Sequence, residues 1–236
     1  MRELAIGDTH GCLHALETLA DYVGIRSNDQ LIMLGDYVDR GPDSKGVVDW
    51  VIERTLEGRC IPLTGNHEIM MLEALAGRVP LEHWLSCGGR ETLRSYAYRG
   101  RSPHPSDIPE SHRWFLAREL RPWYETASHI FAHASVEPSL PMPEQPEHVL
   151  YWERCDGMSP HISGKQVIVG HSAQRSGLPL NGGHFVCIDT WVYGDGWLTC
   201  LDVATGQYWQ ANQRGKTRTD WLHPLPETPD QPWDYP

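Results

Sequence analysis

Short runs of apolar residues, each ending in a glycine or a polar residue, recur along the chain. They stand in LAIGDTHG (4–11), LIMLGDYVDRG (31–41), CIPLTGNHE (60–68), HIFAHAS (129–135) and VIVGHS (167–172). Each apolar run is three to five residues long, which is typical of buried strands and too short for helices. The pattern therefore predicts buried strands that end in chemically active side chains.

Two segments between the first three strands, 14–24 and 44–58, have helical periodicity. Their apolar faces consist of Ala15, Leu16, Leu19, Tyr22 and Val23 in the first segment, and of Val47, Val48, Val51 and Ile52 in the second. Gly24 is predicted to cap the C-terminus of the first helix, and Ser44 the N-terminus of the second. Strands that alternate with helices favour βαβ units and a mainly parallel sheet.

The pattern changes in three later regions. From residue 184, HFVCIDT and GWLTCLDVATGQYW predict antiparallel strands that close a second sheet. Residues 78–121 are predicted to be largely helical with an interruption at 99–106, and they hold eight arginines against five acidic residues. Residues 222–236 contain five prolines, so an extended tail is expected to follow a single domain over residues 1–221.

Composition adds a limit on the partners. Of the 236 residues, 40% are hydrophobic and 22% are charged, as in ordinary globular domains. The 20 basic and 31 acidic residues give a net charge of −11. Nucleic-acid binding needs a basic surface for phosphate contacts, so we expect no nucleic-acid partner.

Cysteine usage and the start of the chain predict a compartment. The six cysteines form no C-x-x-C pair, which argues against a zinc knuckle or a redox motif. Their scatter is typical of free thiols in a reducing cytosol. The chain enters a strand-like run at once and holds no apolar stretch of about 20 residues. We therefore expect a soluble cytoplasmic protein with no signal peptide and no membrane partner.

The strand ends together offer a set of metal ligands. They are Asp8, His10, Asp36, Asn66, His133 and His171. Loops at the carboxyl ends of parallel strands converge on one crevice, and this mixture of carboxylate, imidazole and amide donors suits manganese, iron or zinc. The set exceeds one tetrahedral site. It therefore predicts two metal ions, bridged by Asp36 because that residue follows a central strand.

Three blocks of these residues resemble a known family. GDTHG (7–11), GDYVDRG (35–41) and GNHE (65–68) are similar to the signature of the metal-dependent serine/threonine phosphoprotein phosphatases, bacterial and phage-type, in the calcineurin-like metallophosphoesterase superfamily. The resemblance extends over roughly residues 3 to 203. CGGRETLRSY (87–96) also resembles a block of the bacterial members.

The resemblance implies a fold and a set of ligands. The fold would be an α/β, αββα sandwich of two mixed sheets flanked by helices, with residues 1–221 as the catalytic domain. Asp8 and His10 would bind the first metal, and Asp36 would bridge to the second. Asn66, His133 and His171 would complete the second site. The cofactors would be two divalent ions, manganese first, with iron and zinc as alternatives.

The resemblance also assigns residues to the substrate. Arg40 would bind the phosphate oxygens, with Arg154 in YWERCDG (151–157) as a second phosphate-binding arginine on a looser match. His67 would be the general acid, oriented by Asp39. Two divalent ions with the charges of Asp8 and Asp36 leave a net charge of about +2, which suits a dianionic phosphate monoester.

The expected function is a serine/threonine protein phosphatase that uses metal-bound hydroxide, with a phosphorylated protein or peptide as its partner. The alternative is a hydrolase of dinucleoside polyphosphates such as diadenosine tetraphosphate. Relatives of that kind typically have alanine at the position of Asp39 and aspartate at that of Glu68. A third hypothesis is a binding module without activity, but it would not need all the ligands. Residues 78–121 would be either solvated helices or the approach for an anionic phosphopeptide.

Overall fold

Two mixed β-sheets pack face to face in the computed structural model, which describes residues 1–98 and 100–223. In chain order, the strands are β1 (Glu3–Ile6), β2 (Gln30–Met33), β3 (Cys60–Pro62), β4 (Trp123–Glu125), β5 (His129–Ala132), β6 (Gln166–Val169), β7 (Leu180–Asn181), β8 (Phe185–Cys187), β9 (Leu198–Asp202), β10 (Gln207–Ala211) and β11 (Thr217–Trp221). The helices are α1 (Leu13–Val23), α2 (Ser44–Leu56), α3 (Asn66–Leu75), α4 (Leu81–Trp84), α5 (Arg90–Tyr96), α6 (Glu110–Arg118) and α7 (Glu147–Trp152). Nearly all of the predicted tail at 222–236 lies outside the described residues.

The six-stranded sheet has the order β11-β10-β9-β1-β2-β3. Strands β1, β2 and β3 are parallel, with Glu3 opposite Gln30 and Leu31 opposite Cys60. The five-stranded sheet has the order β4-β5-β6-β8-β7, in which β5, β6 and β8 are parallel and the two edge strands are antiparallel to their neighbours. The predicted metal ligands follow the carboxyl ends of five parallel strands, β1, β2, β3, β5 and β6.

The expectation for the region from residue 184 was wrong in two respects. Strand β8 pairs parallel to β6, and the β9–β10–β11 meander extends the first sheet by pairing β9 antiparallel to β1. Every residue of β9 is buried, because helices cover one face of its sheet and the second sheet covers the other. The meander lies there because β1 has β2 on one edge and leaves its other edge free for β9.

Burial along the strands follows the sandwich. Leu4 and Ile6 of β1 belong to the core beneath the helices, while Ala5 between them belongs to the core shared by the two sheets. Successive strand side chains point to opposite faces, so one strand supplies both layers. On the second sheet, Ile130 packs towards the outer core and Phe131 towards the core between the sheets. This alternation confirms the predicted two-sheet, helix-flanked fold.

The first two helices match their predicted segments, with two corrections at single residues. Tyr22 is 41% exposed, because its position at the edge of the apolar face of α1 turns it to solvent. The N-cap of α2 is Asp43, whose side chain accepts from the Gly46 amide at 2.8 Å. Ser44 is instead the first helical residue, and its hydroxyl accepts from the Asp39 amide at 3.1 Å. Gly24 caps α1 in a left-handed conformation, as predicted.

The arginine-rich segment is helical, as expected, in α4, a π-turn at 85–89, α5 and α6, and the predicted break at 99–106 falls between α5 and α6. All six cysteines are free thiols. In the part of the chain that the structure describes, no helix has both the length and the apolar character needed to cross a membrane.

Candidate active site

The predicted ligands meet where the strands of both sheets end. Asp8 follows β1, Asp36 follows β2, and Asn66 opens α3 after β3. From the other sheet, His133 follows β5 and His171 follows β6. All of these side chains except His171 are buried.

Asp36 lies between histidines that come from different sheets. Its Oδ2 atom is 3.4 Å from Nε2 of His10, and its Oδ1 atom is 3.5 Å from Nε2 of His133. Two groups of possible ligands share this carboxylate, namely His10–Asp36–His67 and Asp36–His133–His171, with ligand atoms within 4.8 Å of one another in each group. Asn66 joins the second group, because its Oδ1 atom lies 3.1 Å from Nε2 of His133. The arrangement fits two cations bridged by Asp36.

The ring orientations of two histidines are fixed by backbone carbonyls. Nδ1 of His10 donates to the Val38 carbonyl at 2.9 Å, and Nδ1 of His133 donates to the Leu34 carbonyl at 2.8 Å. Each ring therefore turns an Nε2 lone pair towards Asp36, as a metal ligand must. Burial lowers the pKa of both histidines, and it lowers the pKa of His171 to about 4. Each shift favours the neutral imidazole, the form that can bind a metal ion.

The buried carboxylate of Asp8 would be stabilised by a cation at the candidate site. Its Oδ2 atom accepts from the His171 amide at 2.9 Å, whereas its Oδ1 atom has no hydrogen-bond partner among the described residues. Asp189 is a second buried carboxylate beside it, and its Oδ2 atom has no partner within the same residues. Burial and the charge of Asp189 raise the pKa of Asp8 well above its usual range. Buried carboxylates require a cation or a donor, so these donors fit divalent metal ions.

The backbone at the site adopts conformations that side chains disfavour. Within the described chain, six non-glycine residues have φ in the left-handed region, and five of them are site residues: His10, Asp36, Asp39, Arg40 and His171. Glu68 holds the turn after β2. Its carboxylate accepts from the amides of Asp36, Tyr37 and Val38 at 2.9, 2.8 and 3.2 Å. Strain of this kind persists when the surrounding contacts over-determine the backbone.

His67 and Asp39 form a buried pair beside the ligands. Nδ1 of His67 lies 2.7 Å from Oδ2 of Asp39, and Nε2 of His67 lies 4.0 Å from Oδ2 of Asp36. Burial alone would lower the pKa of His67, but the Asp36 carboxylate and the hydrogen bond to Asp39 together raise it above its ordinary value. The shift is towards the protonated form, and Nε2 of the ring faces the predicted ligands.

The sequence reasoning missed the residues that fix Asp39. The indole Nε1–H of Trp84 donates to Asp39 Oδ1 at 2.9 Å, and the Thr92 hydroxyl donates to the same oxygen at 2.7 Å. Gly88, with φ of 114°, accepts from the Arg40 amide at 3.2 Å. Thr92 and Gly88 lie in the block CGGRETLRSY, and Trp84 precedes it. The resemblance of that block to the bacterial members of the family could have indicated these residues. Part of the arginine-rich segment therefore packs against the site.

Asp189 was also missed, although a signal was present. It ends the apolar run of HFVCIDT, in the same way that Asp8 and Asp36 end theirs. Its Oδ1 atom accepts from the Trp191 amide at 3.0 Å. The rule that polar residues at strand ends converge would have included it.

The two predicted phosphate-binding arginines differ in placement. Nη1 of Arg40 lies 2.7 Å from Nε2 of His10, so the guanidinium lies beside the ligands. The side chain of Arg154 is 62% exposed, and its Nε atom pairs with Asp156 at 2.6 Å. Among the described residues, 1–98 and 100–223, Asp156 is the hydrogen-bond partner of the Arg154 guanidinium. The structure thus brings Arg40 to the metal ligands and pairs Arg154 with a neighbour on its own loop.

Comparison with known proteins identifies the class. Residues 1–206 match the family described as calcineurin-like phosphoesterase. The chain belongs to this family, as its three sequence blocks predicted. Members of the family use divalent metals, which agrees with the donors described above.

Similar proteins with assigned names fall into two groups. The chain is 34% identical over 142 residues to a symmetrical bis(5'-nucleosyl)-tetraphosphatase of Erwinia tasmaniensis, covering 58% of this chain and 46% of that protein. It is 28% identical over 209 residues to serine/threonine-protein phosphatase 1 of Salmonella typhimurium, covering 84% and 90%. The chain therefore spans less than half the length of the Erwinia protein.

The fold also has counterparts among solved structures. The structure of a cold-active protein tyrosine phosphatase superimposes with a TM-score of 0.65 at 17% identity, covering 92% of this chain and 78% of that one. At this level of identity the likeness supports the sandwich fold.

Proposed function

We propose that the protein hydrolyses phosphoserine and phosphothreonine in proteins or peptides, with two divalent metal ions as cofactors. The observation that carries the proposal is the buried pair of His67 and Asp39, joined at 2.7 Å and held by Trp84 and Thr92. Such a pair is suited to general acid catalysis, because the carboxylate orients the ring and favours its protonated form.

The basicity of the leaving group determines whether a reaction needs a proton donor such as His67. A serine or threonine alkoxide is a poor leaving group, so its departure requires a proton in the transition state. A nucleotide or a phosphate that leaves from a polyphosphate chain is already a weak base and needs no such donor. Asp39 accepts hydrogen bonds from Trp84, Thr92 and His67, so it is fixed in a position that orients the His67 ring. A fixed proton donor of this kind supports an alkyl phosphomonoester as substrate.

Each residue of the candidate site would have a defined role in the reaction. When bound, two divalent ions would polarise the phosphoryl oxygens and activate water for in-line attack. Asp8, His10, Asp36, Asn66, His133 and His171 would hold them. The guanidinium of Arg40 would bind two phosphate oxygens with its planar fork. His67 would donate the proton on Nε2 to the departing oxygen, since its Nδ1 is held by Asp39.

The metal and the compartment are also proposals. Mixed carboxylate, imidazole and amide ligation suits manganese, with iron and zinc as alternatives. Metal analysis of protein purified without added metal would separate them. The six free thiols agree with a reducing compartment, so we place the protein in the cytoplasm.

Hydrolysis of dinucleoside polyphosphates is a second candidate function, favoured by the 34% identity to the Erwinia tetraphosphatase. Against it stand Asp39 and Glu68, the two positions at which relatives of that kind typically carry alanine and aspartate. In this chain both side chains are buried and fully engaged in hydrogen bonds, so neither is an incidental difference.

One comparison decides between the candidates. Turnover of a phosphoserine peptide, a phosphotyrosine peptide and diadenosine tetraphosphate should be measured side by side with manganese. We expect the highest kcat/KM on the phosphoserine peptide. A preference for diadenosine tetraphosphate by tenfold or more would overturn the proposal. If none of the substrates is turned over in a metal-dependent way, both candidate functions are wrong.

A further inference from the structure

The loop between β8 and β9, residues 188–197, places an aromatic ring against the site. The guanidinium carbon of Arg40 lies 4.5 Å from the centre of the Tyr193 ring. The same ring meets His10 edge to face, with the ring centres 4.8 Å apart at an interplanar angle of 87°. Tyr193 therefore contacts both the phosphate-binding arginine and a metal ligand, and no role in the proposed reaction has yet been given to it.

The loop is built to hold this ring in place. The Gly194 and Gly196 amides both donate to the Trp191 carbonyl, at 3.1 and 3.2 Å, and the Trp197 amide donates to the Thr190 carbonyl at 2.9 Å. A side chain at Gly196 would overlap the Thr190 carbonyl. Trp191 has φ of 64° and meets Tyr193 edge to face at 6.3 Å. These contacts close the loop on itself and fix the direction in which Tyr193 leaves it.

We propose that Tyr193 is a positioning residue that holds the Arg40 guanidinium for phosphate binding. The proposal rests on the phosphate-binding role of Arg40 in the proposed function. Arg40 is exposed and unbranched, so without support its side chain would sample many rotamers and lose that freedom when the substrate binds. An aromatic face beneath the guanidinium attracts the cation and leaves its planar N–H edge free for the phosphate oxygens.

The contact acts through the ring and not through the hydroxyl. The guanidinium lies over the ring, and its attraction comes from the π-electrons, which phenylalanine also supplies. This distinction gives a sharp pair of variants. Tyr193→Phe keeps the ring and removes the hydroxyl, whereas Tyr193→Leu keeps apolar bulk and removes the π-face. Tyr193→Met offers a second side chain without a ring, in case the leucine variant fails to fold.

The test measures binding of inorganic phosphate to manganese-loaded protein by calorimetry, so it does not depend on turnover. We expect Tyr193→Leu to weaken phosphate binding roughly 2- to 30-fold, the range of cation–π contacts. Tyr193→Phe should bind like the parent. A matched control is Tyr98→Leu, which removes an exposed tyrosine whose ring carries the Arg101 guanidinium at 5.1 Å, and it should leave phosphate binding unchanged.

A double variant tests whether Tyr193 acts through Arg40. Once Arg40→Ala has removed the guanidinium, adding Tyr193→Leu should cause little further loss. Additive losses would overturn the proposal, as would parental phosphate binding by the ring-free variants. A phenylalanine variant as weak as the leucine variant would assign the effect to the hydroxyl and also overturn it.

Metal content separates the contact with Arg40 from the contact with His10. The ring-free variants should retain as much manganese as the parent, and a loss of metal would assign Tyr193 to His10 and overturn the proposal. If the parent binds phosphate but does not hydrolyse the phosphoserine peptide, the proposed function fails while the role of Tyr193 stays measurable. Absence of phosphate binding by the parent would overturn the role of Tyr193 itself.

Discussion

Asp36 turns its two carboxylate oxygens towards histidines of different sheets, Oδ2 towards His10 and Oδ1 towards His133. An amide in its place would keep the size but lose the negative charge that two bound cations would share. We therefore expect Asp36→Asn to abolish metal-dependent activity and to lower bound manganese from two ions to one or none. Metal analysis after dialysis checks this prediction. Two tightly held ions in the variant would show that another residue forms the bridge.

His67 can be separated from the ligands by the choice of substrate. We expect His67→Asn to reduce kcat on a phosphoserine peptide roughly 10²- to 10⁴-fold, the usual contribution of general acid catalysis. On an aryl phosphate with an electron-withdrawing ring the loss should be much smaller, because that leaving group departs unaided. Asp39→Asn should follow the same pattern more weakly, since it removes the orienting charge and keeps the acid.

Bound manganese serves as the control for both variants and should stay near two ions. Equal losses on the two substrates would mean that His67 supports the metals or the fold, and the proton donor would have to be sought elsewhere.

At the scale of elements, one ion pair ties β1 to the turn that precedes β2. The Arg2 guanidinium reaches Asp29 at 2.5 Å and also donates to the Gly24 carbonyl, at the C-terminus of α1, at 3.0 Å. The Arg26 amide donates to Asp29 at 2.8 Å. Burial would raise the pKa of Asp29, but Arg2 and these amides outweigh it and lower the pKa from 3.8 to about 2.

This depressed pKa gives a prediction with a defined pH range. Because the carboxylate is favoured in the folded protein, its contribution is present above the unfolded pKa near 4 and is lost as the pH falls towards 2. We expect Asp29→Asn to lower the free energy of unfolding by about 2 kcal/mol at pH 7. Urea unfolding at several pH values measures it, and the difference from the parent should shrink below pH 4.

The matched control is Glu17→Gln, which makes the same charge change at an exposed position of α1. It should be near neutral at every pH. A loss for Asp29→Asn that is independent of pH would assign its role to packing.

The strand ends were predictable because their signal is local. Asp8, Asp36 and His133 each follow a short apolar run directly or after a single glycine, and the geometry of parallel sheets brings such ends together. The place of the β9–β10–β11 meander was not predictable in the same way. A fully buried strand such as β9 shows no alternation that favours one sheet over the other, so its neighbour depends on which edge is free once the rest has folded.

Partners from distant elements were equally out of reach. Trp84 is fully buried, and its sequence position suggests an ordinary core residue. Its indole N–H reaches the candidate site through a hydrogen bond to Asp39, which lies 45 positions away. No local pattern encodes that pairing. The resemblance to known phosphatases, by contrast, supplied the proposed role of His67 and its partner Asp39, which spacing alone would not have suggested.

At the scale of the whole molecule, the predicted ligands divide between the sheets. Those that follow strands of the first sheet are Asp8, His10, Asp36 and Asn66, and those that follow strands of the second are His133 and His171. Hydrogen bonds already cross this boundary, from the His171 amide to Asp8 and from the His133 ring to the Leu34 carbonyl. Metal ions held at this place would join the two halves of the sandwich.

Metal removal should therefore lower the stability of the whole fold. Binding at a concentration 100 times the dissociation constant stabilises the folded state by about 2.7 kcal/mol, and for a chain of this size 1 kcal/mol shifts Tm by roughly 2–4 °C. We expect manganese added to chelator-treated protein to raise Tm by about 5–10 °C. Asp36→Asn should lose most of that shift. An unchanged Tm in the parent would contradict a metal site that joins the sheets.

The left-handed backbone at five site residues sets stability and catalysis against each other over evolutionary time. Such conformations cost on the order of 1 kcal/mol or more at each non-glycine residue, and glycine would adopt them freely. A population selected in the laboratory for heat resistance alone, without metal in the medium, should therefore accumulate glycine at positions such as Arg40 and His171. The selected variants would be more thermostable and would lack activity. Selection for growth on a phosphate ester as the sole phosphorus source would instead retain the site residues.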